Sequence, residues 1–117
     1  MGLTDIEGLL TGPTGKQARV RFLVDSGATY TLVPAEESRL LELKPKRTVV
    51  FSLADGTPIE RGVSECHLAL PAGEGHTPVI LGEPGDEALF GAITLEELGL
   101  VLNPFTRKFQ PMRMMLA

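Results

Sequence analysis

The chain has 117 residues, 43% of them apolar, and a net charge of −4. That is material for one buried core and one domain, residues 1–117. The slight acidity argues against a nucleic-acid partner, which asks for a basic face. No apolar run approaches the roughly 20 residues of a membrane span, Met1–Asp5 has neither region of a signal peptide, and the lone Cys66 cannot close an intramolecular disulfide, so a cytoplasmic, reducing setting is expected.

In chain order, Ile6–Leu10 is a short apolar run, and Thr11–Gly15 is a turn built on Gly-Pro and Gly. Ala18–Val24 alternates and then becomes wholly apolar, which predicts a second strand entering the core. After Asp25–Ala28, Thr29–Val33 resumes an extended stretch. Pro34 can open a helix, and Ala35–Leu41 suits about two helical turns. Thr48–Leu53 reads as a strand. Asp55-Gly56 reads as a hairpin turn in which both residues take positive φ, and Thr57–Arg61 as the returning strand. Val63–Leu70 alternates, Pro71–Gly75 reads as a loop, Thr77–Leu81 as a strand and Gly82–Asp86 as a surface loop. Thr94-Leu95-Glu96-Glu97 has the pattern of a capping box, which predicts a helix starting at Thr94 and closed by Gly99. Leu100–Leu102 is extended again, Asn103-Pro104 turns the chain, and Lys108–Leu116 is a loosely apolar tail. Regular turn signals between short apolar runs predict an all-β sandwich or barrel.

The segment that carries chemistry is Phe22-Leu23-Val24-Asp25-Ser26-Gly27-Ala28-Thr29. A carboxylate directly after three large apolar residues is costly unless something compensates it. Ser26 can bond backbone groups and hold a loop still, and Gly27 lets the backbone turn or approach a ligand closely. Asp-Ser-Gly by itself also suits an ordinary Asx-turn. The apolar lead-in, Ala28, and a second segment, Ala88-Leu89-Phe90-Gly91 ahead of the late helix, distinguish the two readings.

This pattern resembles the retropepsin-like aspartic proteases, and most closely their small prokaryotic members. The matching parts are the Asp25–Ala28 signature, the Asp55-Gly56 hairpin, and the Ala88–Gly91 element with its following helix and strand. The resemblance implies an all-β fold, a closed β-barrel with one short C-terminal helix. It implies an aspartic endopeptidase in which Asp25 is catalytic and pairs with a second Asp25 across the twofold axis of a homodimer. The two share one proton and activate a water. Ser26, Gly27 and Ala28 would support the loop and the substrate backbone. Ala54, Asp55 and Gly56 would form a flap over an extended peptide. No metal and no other cofactor is implied, and the partners are a second copy and a peptide or protein substrate. The chain departs from the family in having Ala92 and Ile93 after Gly91, where a polar or acidic residue is common, and a single glycine in the flap tip.

Other residues read more plainly. Cys66 and His67 fall on opposite faces of an alternating strand, so with His76 they do not make a metal site. Lys44–Arg47 is a solvated basic loop. Because the signature occurs once, an aspartic dyad requires two chains, and the apolar tail Lys108–Ala117, which has no later strand to pair with, is expected in the interface. The rival expectations are a peptide-binding module on the same fold with little turnover, and an unrelated β-domain in which Asp25 lies on an exposed turn.

Overall fold

The computed structural model describes residues 4–25, 27–103 and 105–112. Among the described residues, nine strands and two short helices follow one another as β1 (Thr4–Thr11), β2 (Gln17–Val24), β3 (Thr31–Val33), α1 (Ala35–Leu40), β4 (Arg47–Ser52), β5 (Pro58–Leu70), β6 (Gly73–Leu81), β7 (Leu89–Phe90), α2 (Ala92–Glu97), β8 (Leu100–Leu102) and β9 (Phe109–Pro111). The main sheet runs β1-β2-β7-β3-β6-β5-β4, and β1 also pairs with β5, opposing Leu9 to Ala69 and Thr11 to His67. Six strands therefore close into a ring, and β4 extends outward from β5.

Burial follows the pleat. On β2, Val20, Phe22 and Val24 point inward while Arg19 and Arg21 face solvent. Phe22 and Phe90 meet edge-to-face inside the ring, 5.8 Å between ring centres, and Phe109 of β9 lies against Phe90 at 5.7 Å. Leu10, Val33, Leu68 and Val79 are fully buried in this core, and burial of such side chains supplies roughly 1.5–3 kcal/mol each.

The turns between β1 and β2 and between β4 and β5 share one design. Gly15 donates to the Gly12 carbonyl and Gly12 to the Lys16 carbonyl; Gly56 donates to Leu53 and Leu53 to Thr57. Gly15 and Gly56 take φ of +91° and +88°. Each is a tight turn followed by a glycine bulge. Asp55 keeps negative φ, so the two-residue Asp-Gly turn expected from the sequence is replaced by a longer one.

The helix that Pro34 and Ala35–Leu41 suit is present as α1, and Leu41 and Leu43 just after it are buried in the core. Two other expectations are corrected. Pro58–Leu70 is one 13-residue strand that runs through Gly62. A side chain at Gly62 would press on Pro45 at 2.9 Å, so the glycine serves close packing and does not end the strand. The Pro71–Gly75 loop shrinks to Pro71-Ala72, since Gly73 already pairs with Leu70. Phe109–Pro111 of the tail, expected at an interface, pairs with Leu100–Leu102 in its own chain; residues 113–117 of that tail lie outside the described residues.

Candidate active site

Asp25 directly follows β2 and opens the loop that leads to β3. Its backbone carbonyl accepts the Ala28 amide at 3.0 Å, and its Oδ1 accepts the Gly27 amide at 2.9 Å. The Asx-turn anticipated as a bland alternative is thus present, and it aims a half-buried carboxylate rather than hiding one. Ser26 lies outside the described residues.

The loop is held from behind by α2. The amides of Ala92 and Ile93, which open a helix and have no partner within it, donate to the carbonyls of Ala28 and Thr29, each at 2.9 Å. Loop carbonyls therefore do what a capping side chain would do. This corrects the expected capping box: α2 starts at Ala92, its N-cap is Gly91 with no side-chain cap, and Thr94 sits inside the helix.

Thr94 has a different use. Its hydroxyl bonds Thr31 Oγ1 at 2.5 Å and Thr77 Oγ1 at 2.8 Å. Thr31 Oγ1 accepts the Gly91 amide at 3.0 Å, and Thr77 donates to the Pro78 carbonyl. All three threonines are buried. This hydroxyl chain joins β3, β6 and α2 beneath the Asp25 loop. Buried polar groups carry a cost unless bonded, and here each is bonded.

A cleft of about 590 Å³ opens beside the loop. Gly27, Ala28 and Tyr30 line it together with Phe51 and Leu53 of the β4–β5 hairpin and with Asp86. The rest of the lining mixes the aliphatic Leu32, Ile59, Ile80 and Leu89 with Thr29, Ser52, Arg61, Gly85 and Glu87. The structure thus brings Gly27 and Ala28 to face the strands of the hairpin. It does not bring Ala54, Asp55 and Gly56 into the cleft wall; they stand exposed at the hairpin tip. Asp55 Oδ1 accepts the Thr57 amide at 2.8 Å, and bonding to Thr57 holds its carboxyl below the usual range.

Several cleft residues escape sequence reasoning. The Gly82–Asp86 segment reads as an ordinary surface loop, yet Asp86 Oδ2 accepts both the Glu83 amide at 2.9 Å and Arg61 Nε at 3.3 Å. Tyr30 and Phe51 are the aromatic wall. The one available signal is that Tyr30, the chain's single tyrosine, stands directly after the signature segment. Cys66 is buried and its thiol is pushed up to about 12, chiefly by burial and then by Glu65. His67 points to the other face, against His76 and Glu74.

Residues 8–82 match a family model described as aspartyl protease, a span that includes Asp25 and the whole hairpin. Comparison with curated proteins finds no match. Among solved structures, the chain is similar to the solution structure of Simian Foamy Virus (mac) protease, at 22% identity and a TM-score of 0.56, covering 80% of this chain and 92% of that one. It is also similar to the crystal structure of a retropepsin-like aspartic protease from Rickettsia conorii, at 20% identity and a TM-score of 0.52, covering 87% and 85%. At such identities the likeness concerns the fold, and the fold is retropepsin-like.

Proposed function

The chain belongs to the aspartyl protease family, and from that premise we propose that it is one subunit of a homodimeric endopeptidase whose two Asp25 carboxylates form the catalytic dyad. The observation that carries this reading is the Asp25 loop: its carboxylate is half-buried, α2 fixes the loop from behind, and Gly27 and Ala28, just after Asp25, line the cleft together with Phe51 and Leu53 of the β4–β5 hairpin. An unrelated β-domain with Asp25 on a free turn is not compatible with the family and fold.

In the proposed reaction the two carboxylates share one proton, because two like charges so close do not both ionise. The ionised member removes a proton from water as the water attacks the scissile carbonyl. The protonated member donates to that carbonyl oxygen, and a proton then passes to the leaving amine. Gly27 already donates its amide to Asp25 Oδ1 and so steadies the carboxylate. Ser26 would brace the loop across the twofold. Gly27 and Ala28 offer backbone to an extended peptide, with Ala54, Asp55 and Gly56 as the flap above it. Residues 113–117, with Met114, Met115 and Leu116, would supply apolar surface to the dimer. No cofactor enters the scheme, and a cytoplasmic site of action is the setting in which a lone buried thiol is at home.

The test is an unbiased peptide-library digest at several acidic pH values, with Asp25→Asn as the control. The wild type is expected to cleave with a bell-shaped pH profile, and the variant to fold normally without turnover, since an amide cannot cycle the proton. Cleavage by Asp25→Asn near the wild-type rate would sink the assignment.

A further inference from the structure

Both strands of the β4–β5 hairpin are tied to the cleft walls, by different chemistry. On β5, the ion pair between Arg61 and Asp86 joins side chains only 17% and 26% exposed. On β4, the Phe51 ring stands edge-on to Tyr30, 5.6 Å between centres at 87°. Arg47 Nη2 donates to the Tyr30 hydroxyl at 3.0 Å, and its guanidinium carbon lies 6.0 Å from the ring centre. Beyond Phe51, the hydrogen bonds found among the described residues of the hairpin tip are those of its own turn.

Tyr30 is well placed to act as a fixed post. Its backbone follows Thr29, whose carbonyl is held by the Ile93 amide, and precedes Thr31, whose hydroxyl is held by Gly91 and Thr94. Edge-to-face contact is directional, and the Arg47 bond at the far end of the ring sets its rotation. The same ring forms part of the cleft wall beside Leu32.

We propose that Tyr30 is a positioning and specificity-determining residue: its ring props the hairpin at a set distance from the Asp25 loop, and it thereby restricts the cleft to aliphatic rather than aromatic substrate side chains. The substrate half of this rests on the protease reading; the prop does not. With the ring in place, an entering side chain meets Leu32, Ile59, Ile80 and Leu89, with Arg61, Asp86 and Glu87 as the charged residues of the same lining. Without it, the cleft gains the volume of a phenol ring and the hairpin loses its support on β4.

Two readouts test this on the full chain. Amide hydrogen exchange over residues 49–57 needs no activity. Tyr30→Ala is expected to speed it about fivefold, as loss of one aromatic pair implies. Tyr30→Phe, which keeps the ring, should stay within about twofold of wild type. If Tyr30→Ala does not fold, Phe51→Leu removes the same contact from the other side and is read the same way. Cleavage of a matched peptide series carrying Leu, Phe or Trp at one position should favour Leu in the wild type and in Tyr30→Phe, and shift toward Phe and Trp in Tyr30→Ala. Unchanged exchange in the ring-removing variants overturns the prop. An unchanged Leu-to-Phe ratio in an active Tyr30→Ala overturns the specificity role. No cleavage by any form overturns the protease reading and the substrate half with it, while exchange still decides the prop.

Discussion

The Ala28 carbonyl accepts the Ala92 amide at 2.9 Å, so the loop that carries Asp25 and the first turn of α2 form one unit. Neither half is complete alone. The loop has carbonyls without strand partners, and the helix has amides without helix partners; each satisfies the other. The position of Asp25 is therefore set by the far end of the chain.

Gly91 is where the two pieces meet most closely. A side-chain carbon there would come within 2.7 Å of the Thr29 carbonyl oxygen and closer still to Tyr30. Its φ of −101° is one any residue adopts, so the constraint is space alone. Gly91→Ala should destabilise the fold by about 2–3 kcal/mol through forced backbone movement, and should depress peptide cleavage further than that loss explains. Urea unfolding followed beside activity checks both.

Thr94 shows the cost of a buried hydroxyl removed from a chain of them. Thr94→Val keeps the shape but takes a bonding partner from Thr31 and Thr77, and a loss of about 1–3 kcal/mol is expected. Thr94→Ser keeps the hydroxyl and should recover most of it. Thermal unfolding of the two variants beside wild type separates hydroxyl from methyl.

Cys66 gives a pH dependence on the alkaline side. Burial favours the neutral thiol, so in the folded chain it is pushed up to about 12, above its ordinary value of 9.0. The unfolded chain loses this proton first. The stabilising contribution is whole below pH 9 and is lost as pH rises toward 12, at up to about 1.4 kcal/mol per pH unit. Cys66→Ala should lower stability at neutral pH through the small cavity, yet flatten its decline between pH 9 and 12. Unfolding free energies over that window decide the matter, and an equally steep decline in the variant would count against the thiol as its source.

The tail offers a test of assembly. Phe109 packs on Phe90, and β9 pairs with β8, so cutting before Phe109 would damage the fold itself. Deleting residues 113–117 leaves those contacts in place. On the proposed homodimer, this truncation should give a folded, inactive monomer, read by sedimentation velocity and circular dichroism. A truncated chain that remains dimeric and active would show that the interface lies elsewhere.

Much of the site was legible in the order of residues, for local reasons. Apolar runs with period two place strands, and glycines at required turns place hairpins. A carboxylate after Phe22-Leu23-Val24 and before Gly27 marks a candidate presented acid once Ala28 and the Ala88–Gly91 segment are read with it. The β class, the Asp25 loop and the existence of the β4–β5 hairpin are thus written in local residue order. Only the tertiary structure decided where α2 begins, because Ala28 and Thr29 supply the partners that a capping Thr94 would otherwise have offered. Only it decided that Tyr30, Phe51, Arg61 and Asp86 share one cleft, because they come from four separate segments with no common spacing. Local patterns record what a residue needs from its chain neighbours; closure of the ring brings together residues that have no such record.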